Sequence, residues 1–268
     1  MQTTANLWEV LCRDFESDKQ SAKAEEYQEI ARKFLATARQ VFSADSPRLG
    51  DAIEIAGDAC QAAGQYQEAL ANFEEALPAA PPISAARLTA KIAMLHERLG
   101  AAAAARSHYE KALALYDEAR DPSLRVMLLN QLGALCKCEG DLAAAATHYR
   151  EALVTATRRL GEMDSETAIA ANNLGVTSMD MGDYVQAENM HMQALAIREN
   201  TFGALHPEVA QSMSNLAVVY HAMGAYDKAQ RFYLGALQIY ERFCGADDPA
   251  VKAVRANLES LPVGKSGA

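Results

Sequence analysis

The sequence lacks most of the patterns that chemistry needs. Its five cysteines, Cys12, Cys60, Cys136, Cys138 and Cys244, are an odd number with no CxxC pair and no companion histidines at zinc spacing, so neither a disulfide framework nor a zinc site is indicated. GxGxxG, GxxxxGK[ST] and GxSxG are all missing, which removes the phosphate cradles and the nucleophile elbow. The six histidines have no shared acidic or cysteine partner spacing; His206 falls at a helix start and His191 at an aromatic core position. No metal, cofactor or catalytic site is therefore expected.

Basic charge is also scarce. A formal net charge of −10 opposes general nucleic-acid binding, which needs a concentrated basic face to displace counterions from phosphate. The start, MQTTANLWEV, has no basic segment ahead of an apolar run, and no later stretch reaches the length of a membrane span, so a cytoplasmic location without membrane contact is expected. Only eight prolines occur in 268 residues, all between the helical patterns, while half the residues are apolar and alanine is abundant. That composition favours a mostly helical chain.

What is present is a repeat. The 42 residues from Ser165 are followed by a second block on the same plan, pairing Asn173 with Asn215, Leu174 with Leu216, Gly182 with Gly224, Ala187 with Ala229 and Ala194 with Ala236. Gly64, Gly100, Gly140, Gly182 and Gly224 mark five helix-turn-helix units spaced 36, 40, 42 and 42 residues apart. Seven residues before each glycine comes a small residue (Gly57, Ala93, Gly133, Gly175, Ala217). Five after it comes Ala69, Ala105, Ala145, Ala187 or Ala229, then an aromatic or histidine (Phe73, Tyr109, Tyr149, His191, Tyr233), then Ala76, Ala112, Ala152, Ala194 or Ala236. Alanines seven apart lie two turns apart on one stripe, where small side chains let paired helices approach and the ring fills the remaining space.

Helix starts are marked as regularly. Asp45-Ser46-Pro47, Asp121-Pro122, Asp164-Ser165, His206-Pro207 and Asp248-Pro249 place a polar side chain where it can accept from first-turn amides. Trp8, Leu11, Cys12 and Phe15, then Tyr27, Ile30, Phe34, Ala38 and Val41, read as a pair of amphipathic helices. The resulting division is an N-terminal hairpin over residues 1–44, acting as a degenerate repeat or cap, five units over 45–247, a capping helix over 248–261 and a loose tail over 262–268.

The small-glycine-Tyr-Ala-aromatic-Ala order resembles the tetratricopeptide repeat. The longer period, with Asn172-Asn173-Leu174, Ile197-Arg198-Glu199 and His206-Pro207, is similar to the kinesin-light-chain subtype over residues 45–260, most closely over 160–258. The resemblance implies an all-α, right-handed superhelical solenoid with a C-terminal capping helix, whose first helices line a concave groove. The long N-terminal heptad segment of a true kinesin light chain is not seen, so a free-standing repeat protein is expected rather than a motor subunit.

Carried onto this sequence, the groove positions are Arg87 and Lys91, Asn130 and Gln131, Asn172 and Asn173, and Ser214 and Asn215, with Lys137 as a third cation. Asparagine and glutamine are poor mid-helix residues, so their recurrence suggests a task, and a carboxamide can both donate to and accept from an extended peptide. The alternative is that these amides bond neighbouring helices. Arg87 and Lys91, one turn apart, are placed to hold a carboxylate, while Asp51, Glu54 and Asp58 occupy the same strip of the preceding unit. The expected function is binding of another protein or peptide in the groove. Self-assembly as a homodimer is the alternative, with a ligand sensor or enzyme behind it.

Overall fold

The structure, a computed structural model, describes residues 4–21, 24–116, 121–245 and 247–262. Thirteen α-helices and one short 3-10 turn are present among them, and no strand. Of the expected tail, all but Pro262 lies outside the described residues. The chain divides into two compact units, Met1–Asp117 and Glu118–Ala268.

The first unit contains α1 (Thr4–Ser21), α2 (Ala24–Val41), α3 (Pro47–Ala62), α4 (Tyr66–Ala76), the 3-10 turn Leu77–Ala79, α5 (Pro82–Arg98) and α6 (Ala102–Leu115). Trp8 and Phe15 on α1 meet Phe34 of α2 with ring centroids 5.7 and 4.8 Å apart, and this aromatic cluster closes the N-terminal end of the core. From α2, Arg32 reaches Glu68 and Arg39 reaches Glu75 on α4, both across 36 residues. That equals the Gly64 to Gly100 spacing, so α2 stands to α4 as a second helix one repeat earlier.

The second unit contains α7 (Pro122–Cys138), α8 (Leu142–Arg159), α9 (Ser165–Asp180), α10 (Tyr184–Phe202), α11 (Pro207–Ala222), α12 (Tyr226–Cys244) and α13 (Pro249–Glu259). Each helix packs on its sequence neighbour, and α7 with α9 and α9 with α11 also touch across repeats. The single helix α13 lays Val251 and Val254 against α12, leaving both buried.

All five repeat glycines have positive φ, between 75° and 84°, where a side chain would be strained. Each closes the same double-bonded turn. The glycine N–H donates three residues back, and the next N–H donates five back, as in Gly182 to Met179 (3.0 Å) and Asp183 to Ser178 (2.9 Å). In two turns the residue after glycine also starts the following helix. Asp141 accepts from the Ala144 amide at 2.9 Å and Asp183 from the Gln186 amide at 3.0 Å.

First helices are capped by Asp121, Asp164, His206 and Asp248, each accepting from a first-turn amide. Ser46 departs from that expectation: α3 starts after it, but its side chain makes no capping bond. Pro47 at the first helical position removes one orphan amide without it.

In the hairpins where the small residue seven before the turn glycine is itself a glycine, Gly57, Gly133 and Gly175, it lies under the ring of the second helix. A Cβ placed on Gly133 would meet the Tyr149 ring at 2.7 Å, and one on Gly175 would meet the His191 ring at 2.8 Å. Tyr109, Tyr233, Phe73 and His191 are all at most 1% exposed, and so are the alanines on either side of each ring. Cys60 and Cys136 are buried as small core residues.

A polar strip on the first helices

In the second unit, α7, α9 and α11 bring carboxamides together in pairs. Asn173 Nδ2 donates to Asn130 Oδ1 at 3.3 Å, and Asn215 Nδ2 donates to Asn172 Oδ1 at 2.8 Å. Each rung joins residues 43 apart, one more than the repeat, so adjacent helices meet with a one-residue advance. Lys137 Nζ and Asp180 Oδ2, 2.9 Å apart, sit in the same relation at the end of α7 and α9. Asp180 is the strip residue that reading along the chain passes over. Its signal is that offset, since it stands to Lys137 as Asn173 stands to Asn130.

Asn130 is 8% exposed, while Asn172, Asn173, Ser214, Asn215 and Gln131 are half-buried. Each rung engages one donor and one acceptor, although each carboxamide carries two N–H groups and a carbonyl with two lone pairs. Among the described residues, the carbonyls of Asn173 and Asn215 accept no further bond. The rungs thus hold the amides in fixed orientation with capacity to spare.

The first unit carries a different strip. Lys91 Nζ lies 2.8 Å from Glu54 Oε1 and 2.6 Å from Asp58 Oδ1, and 5.1 Å from the centroid of the Phe73 ring. Burial pulls the Lys91 pKa down, but the hydrogen bonds that its ammonium donates to Asp58 and Glu54, with their charges, outweigh it and the result is upward. Asp51, next along α3, is pushed up by burial and by the charge on Glu54. Arg87 is exposed on the preceding turn of α5. Lys91 is therefore already neutralised within its own unit, and an incoming carboxylate would have to compete with two resident ones.

Elsewhere in the second unit, Arg198 of α10 is a buried charge. Its guanidinium donates to the Ser212 hydroxyl at 2.9 Å and the Glu208 carbonyl at 3.2 Å, and pairs with the Glu208 carboxylate at 3.2 Å. It ties α10 to the first turn of α11. His191, one aromatic slot along α10, has its Nδ1 buried without a partner, and burial with the nearby Arg198 charge depresses its pKa to about 4. Among the described residues no group of three His, Cys, Asp or Glu side chains is placed to hold a metal ion, and no helix is long and apolar enough to cross a membrane.

Stacked helix-turn-helix units of this kind define a helical-repeat scaffold for protein–protein interaction. The tetratricopeptide-repeat family model matches residues 84–157, 166–242 and 213–260, and the chain belongs to that family, in its kinesin-light-chain-like type. No curated protein matches the sequence. Among solved structures, BtubC (BKLC) from P. vanneervenii is 27% identical over 96% of both chains, with a TM-score of 0.66. The apo form of RapI aligns over 96% of this chain and 70% of its own at 14% identity and a TM-score of 0.69. Cut9, in the APC/C hetero-tetramer Cut9-Hcn1, aligns over 96% of this chain and 48% of its own at 17% identity and a TM-score of 0.62. The last two likenesses bear on the fold alone.

Proposed function

We propose that the chain is a non-enzymatic scaffold that binds an extended peptide segment of a partner protein along the first helices of its second unit. The observation that carries this is the pair of amide rungs, Asn130 with Asn173 and Asn172 with Asn215. A peptide main chain offers alternating N–H and C=O groups whatever its side chains. Carboxamides with an unused donor and acceptor match both. Because each amide is already oriented by its rung, little side-chain freedom is lost when the peptide arrives.

The test is a selection of peptides from a random library on the native chain, followed by affinity measurement on Asn173→Ala and Asn215→Ala. Selected peptides should lose about 1–3 kcal/mol on each variant, the cost of a desolvated backbone group left unpaired. Unchanged affinity on both variants would assign the rungs to helix packing alone.

A further inference from the structure

The repeat supplies its own control for recognising residues that stacking does not require. In α12 the stacking stripe is Ala229, Tyr233 and Ala236, all buried, as in the other units. Beside it lies a cavity of about 400 Å³ between α11 and α12, lined by Met213, Tyr220, Lys228, Arg231 and Phe232. Tyr220 and Phe232 stack with centroids 5.5 Å apart, and Lys228 Nζ stands 4.7 Å from the Tyr220 centroid. Where this last full repeat has Tyr220, Lys228, Arg231 and Phe232, the two before it have Ser178, Gln186, Asn189 and Met190, and Cys136, Ala144, Thr147 and His148. An apolar floor with two cations is therefore built only once in the unit.

The cations are uncommitted. Arg231 Nε donates only to the Asp227 carbonyl at 3.3 Å, and among the described residues neither Lys228 nor Arg231 has a carboxylate partner. Arg32, Arg39, Lys91, Lys137, Arg198 and Arg255 do. Glu188 of α10 is bound by the Tyr220 hydroxyl at 2.6 Å and does not line the cavity. In a chain of net charge −10, two neighbouring cations without an internal acid favour an external one.

We propose that this cavity is a second docking site, which takes a short acidic stretch of a protein partner. A carboxylate sits between Lys228 and Arg231, and an adjacent aliphatic side chain rests on Met213 and Phe232. The site is separate from the amide strip. Met213 and Asn215 are two residues apart on α11, so their side chains point roughly 200° apart around the helix.

The probe is a blocked hexapeptide with leucine next to two glutamates, beside counterparts with glutamine for glutamate and alanine for leucine. The readout is the Met213 methyl resonance. The glutamate peptide should shift it saturably. The glutamine and alanine peptides, and the double variant Lys228→Ala with Arg231→Ala, should each bind at least about tenfold more weakly. Lys228→Arg with Arg231→Lys should retain most of the affinity. Arg158→Ala, an exposed cation on α8, should change it less than about twofold, which separates a site from bulk attraction. The proposal is overturned if the double alanine variant, still helical by circular dichroism, binds as well as the native chain. Equal binding of the glutamine peptide, or no saturable shift at several millimolar, would overturn it as well.

Discussion

The hairpins α9–α10 and α11–α12 are written 42 residues apart on one plan, yet they fill it differently. In the first, His191 lies over the bare Cα of Gly175 and Arg198 is buried two turns on. In the second, Tyr233 and Ala217 are buried in one core cluster, and Tyr240 stands where Arg198 would be. The backbone turn at Gly182 and Gly224 is the same to within a few degrees of φ. Backbone geometry is what the repeat conserves, and the buried slots tolerate a neutral imidazole or a guanidinium provided that neighbours satisfy it or burial keeps it uncharged.

The largest way to break the comparison is at Arg198. Arg198→Ala removes the partner of the fully buried Ser212 hydroxyl and of the Glu208 carbonyl, and leaves a cavity between α10 and α11. A loss of about 3 kcal/mol is expected in urea unfolding. Tyr240→Phe, at the matching slot, should cost less than about 1 kcal/mol, because no ion pair depends on it.

A comparable effect appears with pH. The imidazole of His191 has a pKa of about 4 in the folded chain against an ordinary 6.5, so between these values the unfolded chain binds a proton that the folded chain refuses. Stability contributed by this group is present above pH 6.5 and falls as the pH drops towards 4, by about 1.4 kcal/mol per unit and about 3 kcal/mol in all. Carboxylates titrate in the same window, so the measurement is a difference. His191→Phe, a ring that Phe73 shows to fit the slot, should flatten the urea-midpoint profile between pH 6.5 and 4 by that amount. Parallel profiles would mean that the imidazole is charged in the fold.

Two mid-helix glycines sharpen the contrast at smaller scale. A Cβ on Gly175 would press into the His191 ring, which is 1% exposed and cannot withdraw, so Gly175→Ala should cost about 1–2 kcal/mol despite its better helix propensity. A Cβ on Gly235 would meet only the methyl and sulfur of Met213, the free end of a flexible side chain. Gly235→Ala should therefore be neutral or stabilising by up to about 1 kcal/mol.

These contrasts show what could be read along the chain and what could not. Turn positions were legible because only glycine suits the φ of 75–84° that ends each first helix, and the buried stripes because alanine seven apart fixes one face. The expected groove residues are a harder case. Sequence places Asn130, Asn172, Asn173 and Asn215 on one strip, but a carboxamide facing a neighbouring helix and one facing a peptide carry the same letter. Only the 43-residue rungs reveal that these amides first bond each other. Lys91 and its acids illustrate the same gap, since charges assigned to separate helices proved to be one network. Arg198 was visible as part of a family signature, but its role depends on Glu208 and Ser212, which come from the next repeat.

The smallest expected effect lies in the turns themselves. Asp183, after Gly182, caps α10 by accepting from the Gln186 amide, whereas Ala225, after Gly224, offers α12 no side-chain acceptor. The two turns otherwise share their bonds: Gly224 donates to His221 at 3.0 Å and Ala225 to Tyr220 at 2.9 Å, as Gly182 does to Met179 and Asp183 to Ser178. Ala225→Asp therefore transplants a cap into geometry that already suits it, with the negative charge at a helix N-terminus, and should stabilise by about 0.5–1 kcal/mol. Asp183→Ala should lose a similar amount. The same Ala225→Asp substitution sets a negative charge three residues before Lys228, close to the proposed acidic docking site, where like charge should weaken an acidic ligand. Stability and acidic-peptide affinity should thus move in opposite directions on one variant. A gain in melting temperature without loss of peptide affinity would count against an acidic ligand held beside Lys228, and no gain in melting temperature would show that the α12 turn differs from its partner in more than the cap.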